Sequence, residues 1–373
     1  MIKVLEVVNG FGYGGIRACI QNYSTYINKE EFEVHIYVFG AENSPFQSQM
    51  EAIGCKLFFD PVNDISSNNI VRFVRKLTTF IRNGKYDVVH AHCNLSSAWI
   101  TLSAVLAGAR VRLSHSHSTS HFSGCFFQNL WSLFRRFIIS CTATHKLACG
   151  KLAGEAMYGN NANFIILQNG INVNRFLNYD KEKVENLRKQ FNIAEGVRVY
   201  ANVTRMDPPK NHLFAIEVFN EIHKIEPTSV FIYGGVIPIM DSTEEQVKNK
   251  IKDYGLEPWT RFIGPFMEIE ILYHLSDLWI YSSSFEGLPF GPVELQASSV
   301  PTLVSDVITS DIDLGLGLVH FMSLNESPYK WAQKASHIKK QSIDKDTIMS
   351  SFIRHEFDIL QSVKELENIY RYK

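Results

Sequence analysis

Twice in its 373 residues this sequence runs through the same alternation of a short apolar, β-branched run and an amphipathic stretch at helical spacing. In the first half the apolar runs are IKVLEVV, FEVHIYVFG, DVVHAH and RVRLSHSHS. Between them lie helical patterns at about Arg17 to Ile27, Ile70 to Arg82 and Ser96 to Ala107. After LQNGINVNRF the alternation restarts: VRVYANVTR, a helix through His212 to His223, SVFIYGG, a helix near Glu244 to Tyr254, TRFIGP, DLWIYSS and VPTLVSD. Repeated β-α-β units require a parallel sheet covered by helices on both faces, because parallel strands can be joined only by crossovers. The expectation is therefore an α/β chain of two Rossmann-like domains, divided at 168/169 beside the Asn169-Gly170 turn. The first spans 1–168 and the second 169–345. A helical tail, 346–373, with no strand after it, is expected to cross back toward the first domain.

The bulk numbers fit two folded domains. With 45% hydrophobic and 20% charged residues and 12 prolines, each half can bury a core of its own. No stretch reaches the roughly 18 apolar residues of a membrane span, and MIKVLEVV is interrupted too soon by Asn9 and Gly10 to be a signal peptide. This predicts a cytoplasmic protein. The six cysteines all lie before residue 150 at irregular spacings, which predicts reduced thiols. Residues 1–168 carry 15 Lys+Arg against 10 Asp+Glu, or +5, and the remainder 22 against 28, or −6, giving the net −1. That mild basicity suits an anionic surface or acceptor and is too diffuse for nucleic acid.

Directly after IKVLEVV comes NGFGYGGIRA, in which Gly10, Gly12 and Gly15 match G-x-G-x-x-G. A dinucleotide site would place an acid about 20 residues further on, at the end of the second strand. Glu42 lies at the outer limit of that spacing. On the glycines alone, a dinucleotide, an empty tight turn and a phosphate or sugar cradle all remain open.

The second half carries more specific chemistry. In NVTRMDPPKNH a strand ends and Arg205 and Lys210 follow across a Pro-Pro turn. A guanidinium fork and a point-like ammonium at the C-terminal end of a parallel strand suit a diphosphate. In SSSFEGLPFGPVELQA, Gly287, Pro289, Gly291 and Pro292 break any helix between the two acids, so Glu286 lies on a loop and Glu294 in the first turns of the next helix. Helix-start amides there bind anionic oxygens, and a carboxylate beside them accepts ribose or sugar hydroxyls.

VTRMDPPKNH, followed about 75 residues later by FEGLPFGPVELQASSVPTLVSD, resembles the C-terminal domain of retaining glycosyltransferases of the GT-B fold, family 4 (group 1), the type found in bacterial capsular and exopolysaccharide assembly. LQNGINVNRF and GYGGIRA match the same family's pattern, so the resemblance spans the chain. It implies a glycosyltransferase that moves a sugar from a nucleotide diphosphate sugar, UDP-linked, to a hydroxyl acceptor with retention, its active site in the cleft between two Rossmann-like domains. By the same resemblance Arg205 and Lys210 hold the donor diphosphate, Glu294 takes the ribose hydroxyls, Glu286 the donor sugar, and the Gly14-Gly15 loop approaches the reacting centre. Gly287, Leu288 and Pro289 complete the donor loop, and no metal cofactor is expected. The acceptor would be a glycan or a lipid-linked one, in surface polysaccharide biosynthesis. Two positions depart from the family pattern: Arg17 where Glu is usual after the paired glycines, and Thr204 where a small residue precedes the Arg. Arg17 keeps alive the alternative of a catalytically impaired partner subunit, and the glycine pattern that of an NAD-dependent oxidoreductase.

Three further features call for assignment. His90 and His92, and His115 and His117, stand in alternate positions at the ends of two first-domain strands, so each pair shares a face. No Asp or Glu close to them in sequence completes a zinc ligand set. In the resembled family a histidine after this strand orients the donor sugar, and His117 is the expected one. Asp311 and Asp313 in SDIDLG imitate a metal-binding Asp-x-Asp but follow the sugar-nucleotide loop, where the GT-B pattern needs no metal. Finally, residues 121–141 place Phe126, Phe127, Leu130, Trp131, Phe134, Phe137 and Ile138 at helical spacing beside Arg135 and Arg136. That stripe is either core or a peripheral contact with the inner face of the plasma membrane.

Overall fold

The structure, a computed structural model, describes residues 1–61, 65, 69–118, 126–237, 242–266 and 268–371, with residues 126–128 as backbone only. The chain forms two compact units, Met1–Ile171 with Glu356–Lys373, and Asn172–His355.

In the first unit the strands are β1 (Ile2–Asn9), β2 (Phe32–Phe39), β3 (Lys56–Asp60), β4 (Val88–Ala91), β5 (Val111–Ser116), β6 (His145–Ala148) and β7 (Ile165–Ile166). They make one parallel sheet in the order β3-β2-β1-β4-β5-β6-β7. Val4, Leu5, Val7, Ile36, Val88 and Val89 have no exposed surface. Helices cover both faces, so these strands read as continuous apolar runs. One residue in the middle of β1 breaks the rule: Glu6 is buried among them. β3, β6 and β7 are not among the apolar runs read from the sequence.

The C-terminal helical stretch is two helices, Lys345–Arg354 and Ile359–Tyr370. The break has local causes. Glu356 adopts a left-handed φ of 62°, and the Asp358 carboxylate caps the second helix by accepting from the amides of Leu360 and Gln361. Across the break, the Ile171 amide donates to Phe357 O at 2.9 Å and the Ile359 amide to Ile171 O at 3.1 Å. Gly170 permits that approach: a Cβ there would stand 2.6 Å from Ser362 Oγ and 3.0 Å from Ile359 Cα. Helix Ile359–Tyr370 thus joins the first unit and lies against helix Gly15–Tyr26.

The second unit contains β8 (Val199–Val203), β9 (Val230–Gly234), β10 (Thr260–Ile263), β11 (Leu278–Tyr281), β12 (Thr302–Ser305) and β13 (Val319–Met322). They too are parallel, in the order β10-β9-β8-β11-β12-β13. Tyr200, Phe219, Phe231 and Trp331 fill its core. Both sheets reverse direction once, between β1 and β4 and between β8 and β11. At such a switch point adjacent connections leave in opposite directions and open a crevice at the strands' C-terminal ends, the general ligand position of open α/β sheets.

Candidate active site

In the second unit that crevice is formed by the segment after β8 and the loop after β11. Backbone sterics fix the first. Gly234 and Gly235 have φ of 131° and 122°, and a Cβ on Gly235 would lie 2.0 Å from Thr204 O. Only glycine lets the strand end pass so close to Thr204. Amide bonds from Thr204 to Gly234 O (3.0 Å) and from Met206 to Val236 O (2.7 Å) then hold the segment. The Pro-Pro turn follows, and the Ser284 amide donates to Pro209 O at 2.8 Å, tying the two loops together.

The result is that Lys210 Nζ donates to Glu286 Oε1. The same oxygen accepts from Tyr281 Oη at 3.1 Å and Ser283 Oγ at 3.2 Å. Arg205 is about half exposed and its Nε donates to the Asp207 carboxylate. His212 contacts Thr204 Oγ1 at 3.1 Å, and burial pushes its imidazole down to about 4, so it is neutral near pH 7. Helix Phe290–Ala297 starts just beyond Gly287, Leu288 and Pro289. Glu294, on that helix, accepts from Tyr273 Oη at 2.8 Å. Tyr273 and Tyr281 are raised well above the usual phenol range by burial and then by these carboxylates, so both remain donors. A partly buried acid pair and cation arranged this way can hold a diphosphate and hydroxyl groups together. Asp311 and Asp313 serve the turn instead: Thr309 caps the Asp311 amide, and Asp313 accepts from the Gly315 amide at 3.0 Å.

In the first unit, Gly14 and Gly15 are exposed where helix Gly15–Tyr26 begins, at the C-terminal end of β1. Arg17 bonds Gln21 and lies 4.2 Å from the Phe46 ring centroid. Across the switch point, sequence distance misled on one feature: a carboxylate does reach the histidines. β1 and β4 pair with Glu6 opposite His90. Glu6 Oε2 lies 2.6 Å from His92 Nε2 and 3.3 Å from His90 Nδ1, and Oε1 accepts from Tyr370 Oη at 2.8 Å. His90 Nε2 meets His115 Nδ1 at 3.1 Å, and His92 Nδ1 meets His117 Nε2 at 2.8 Å. Burial tends to raise the Glu6 carboxyl, but His90 and His92 outweigh it and hold it below the usual carboxylate range. Desolvation lowers His92 to about 4 and takes His115 and His117 well below the ordinary imidazole value. Nitrogens of His90, His92 and His115 lie within 4.8 Å of one another, close enough for a metal ion, although hydrogen bonds already use most of them. The signal for Glu6 was in the sequence all along, as an acid in the middle of the apolar run IKVLEVV. Tyr370, 364 residues away, gave none.

The described cysteines, Cys19, Cys55, Cys93, Cys141 and Cys149, are free thiols, and Cys125 lies outside the described residues. Residues 121–125 and the side chains of Phe126 and Phe127 also lie outside them. Over the rest of helix Phe126–Thr142, Leu130, Trp131, Leu133, Phe134 and Phe137 are exposed, while Ile139 is buried.

Comparison with known proteins agrees with this geometry. Residues 13–175 match the family described as Glycosyltransferase Family 4, and residues 183–310 the one described as Glycosyl transferases group 1. EpsF of Bacillus subtilis (strain 168), which carries a provisional description as a glycosyltransferase, is 29% identical over 99% of this chain and 96% of its own length. An Escherichia coli UDP-Gal:alpha-D-GlcNAc-diphosphoundecaprenol alpha-1,3-galactosyltransferase is 22% identical over 78% of this chain and 76% of its own. Among solved structures, Anabaena HepE in complex with UDP and glucose superposes with a TM-score of 0.80 at 17% identity, over 99% of both chains.

Proposed function

The chain belongs to the group 1 glycosyltransferases of the GT-B fold, and we propose that within that class it moves a sugar from a UDP-sugar to a hydroxyl acceptor with retention at the anomeric carbon. The observation that carries this reading is the Lys210–Glu286 pair at the second unit's switch point, with Arg205 and Glu294 on the flanking segments. Lys210 and Arg205 neutralise the diphosphate as it takes up the electron pair of the breaking glycosidic bond, a role that needs no metal. Glu294 accepts the ribose hydroxyls, and Glu286 meets the sugar with the Gly287, Leu288 and Pro289 loop. By the family resemblance, His117 and the Gly14-Gly15 loop are also assigned to the sugar. Catalysis here is positioning and electrostatic stabilisation of the leaving group, with no enzyme nucleophile. UDP is favoured over other nucleotides because the galactosyltransferase relative uses UDP-Gal and the HepE structure contains UDP. The E. coli relative acts on a diphosphoundecaprenol acceptor, which supports a lipid-linked acceptor in surface polysaccharide biosynthesis here.

The exposed face of helix Phe126–Thr142 supports a peripheral contact with such a membrane. Thermal-shift screening with UDP, GDP, ADP, NAD and their sugar conjugates tests the donor, since stabilisation follows ligand concentration over its dissociation constant. UDP and UDP-sugars should stabilise and NAD should not. Proton NMR of the transferred sugar then reads the anomeric configuration, and transfer that persists in EDTA supports the metal-free role. UDP binding without hydrolysis or transfer from any donor would favour the impaired partner subunit instead.

A further inference from the structure

The hydrogen-bond chain behind His117 has a direction. Glu6 is 4% exposed, and a carboxylate held in its ionised form can only accept. His92 Nε2, 2.6 Å from Glu6 Oε2, must therefore carry a proton. His92 is neutral, so its Nδ1 is a bare lone pair. That lone pair lies 2.8 Å from His117 Nε2, which must donate to it. One nitrogen of His117 is then left, Nδ1, unprotonated and without a hydrogen bond among the described residues. A second arm ends on the same carboxylate: Tyr370 Oη donates to Glu6 Oε1 and lies 2.8 Å from His90 Nδ1, which fixes the carboxylate's orientation. A neutral imidazole side chain favours its Nε2–H form only modestly by itself, and a hydrogen-bond partner outweighs that preference. The choice is imposed by the partner of the far nitrogen.

We infer that Glu6 and His92 are positioning residues that lock His117 as its Nε2–H tautomer and present its Nδ1 as a hydrogen-bond acceptor to a hydroxyl of the donor sugar. The tautomer follows from the first unit alone, and its use on the sugar rests on the role proposed for His117 above. The geometry makes a sharp statement about two substitutions. In Glu6→Gln an amide N–H can face His92 Nε2, which moves the His92 proton to Nδ1, turns His117 Nε2 into an acceptor and puts a proton on His117 Nδ1. His117 Nδ1 then donates where it had accepted. In His92→Gln, by contrast, one amide can donate to Glu6 and accept from His117, so the direction survives without an imidazole.

The test is ¹⁵N NMR of histidine-labelled full-length protein near neutral pH, combined with transfer kinetics. In the wild type His117 should show a protonated Nε2 and a bare Nδ1. Glu6→Gln should reverse or mix that pattern and lower kcat/KM for the UDP-sugar by about ten- to a hundredfold, the loss expected when a hydrogen-bond acceptor at the sugar becomes a mismatched donor, with UDP affinity unchanged. His92→Gln should keep both the His117 tautomer and most of the turnover. A wild-type His117 protonated on Nδ1, or a Glu6→Gln enzyme with an altered tautomer and full turnover, would overturn the inference. Should Glu6→Gln fail to fold, the wild-type spectrum and His92→Gln still decide. A wild type that neither binds UDP nor transfers sugar would overturn the proposed function and leave the tautomer measurement standing.

Discussion

Lys210 and Glu286, 76 residues apart, bond directly across the switch point of the second sheet, so the cation after β8 and the acid after β11 neutralise each other. A diphosphate would compete with that partner for the charge of Lys210. Glu286→Gln should therefore leave UDP affinity unchanged or tighter while turnover falls, because the amide competes less for Lys210 but no longer stabilises charge on the sugar. Calorimetry and initial rates on one preparation separate the two effects. Weaker UDP binding in this variant would mean that Glu286 organises the diphosphate site.

Lys210→Ala and Arg205→Ala should each weaken UDP far more than uridine, by about 1.5–3 kcal/mol for a charge-assisted hydrogen bond to phosphate. Lys210, at 15% side-chain exposure against 47% for Arg205, should show the larger loss because solvent screens it less. Equal losses for uridine and UDP would sink the diphosphate assignment.

Tyr273 Oη donates to a Glu294 carboxylate oxygen at 2.8 Å and so fixes the carboxylate's position. Glu294→Gln should raise the donor KM, since an amide accepts only one of two ribose hydroxyls well. Tyr273→Phe should do the same to a smaller degree, by loosening the carboxylate. Uridine affinity read by calorimetry decides the matter, and an unchanged value in Glu294→Gln would remove it from the ribose.

Gly235→Ala forces a side chain into a φ of 122° and against Thr204 O. Strain of about 1–3 kcal/mol is expected, relieved by displacing the Thr204–Lys210 segment. Both the urea midpoint and UDP affinity should fall. A drop in stability with intact UDP binding would show that the segment can shift without moving Arg205 and Lys210.

Much of this was readable in the chain because parallel strands covered on both faces advertise themselves. IKVLEVV and DLWIYSS are mostly apolar, and the Pro-Pro turn after VRVYANV and the loop of Gly287 and Pro289 after DLWIYSS mark where strands give way to loops. What stayed hidden is pairwise. Lys210 touching Glu286 depends on which two strands flank the switch point, and Asp207, Tyr273 and Tyr281 as partners are fixed only by packing. The histidine pairs were visible as residues with no partner in sequence, since Glu6 arrives by strand pairing and Tyr370 by the return of the last helix. The helix break at Glu356 was equally silent, because the residues around it carry no glycine or proline.

The histidine cluster sets the acid response of the first unit. His92 is lowered to about 4 from an unfolded value near 6.5, and His115 and His117 are lowered too, so between those values the unfolded chain binds more protons than the folded one. Stability then falls as pH falls. Glu6 has the same sign: its folded value is depressed, so its contribution is present above the unfolded carboxyl value and lost as pH drops through the folded one. The urea midpoint should decline from pH 7 to pH 5, and His92→Gln, with one titrating group fewer, should flatten the decline. An unaltered slope in that variant would place the acid sensitivity elsewhere.

Helix Phe126–Thr142 turns Leu130, Trp131, Leu133, Phe134 and Phe137 outward, with Phe137 64% exposed, and Val105 and Leu106 of the adjacent helix Ser97–Ala107 are exposed as well. Large apolar side chains grouped on one face mark an interaction surface, and Trp and Phe among them suit the headgroup boundary of a bilayer. The arginines divide their work: Arg136 Nη2 donates to Ala156 O at 2.8 Å and holds the helix to its unit, while Arg135 is half-buried beside it. Attraction to anionic lipid would come from Arg135 and the basic first half together, at about 1 kcal/mol per charge near the surface. Reversing Arg136 would break a packing bond, so the informative change is apolar. The protein should float with anionic liposomes at low salt, remain behind with zwitterionic ones, and come off as salt rises. Leu133→Ser with Phe137→Ser should abolish flotation without lowering the urea midpoint, because both side chains are already in water. Absence of flotation at low salt, with sedimentation showing a dimer that the same double substitution dissolves, would make this face a contact between copies of the chain.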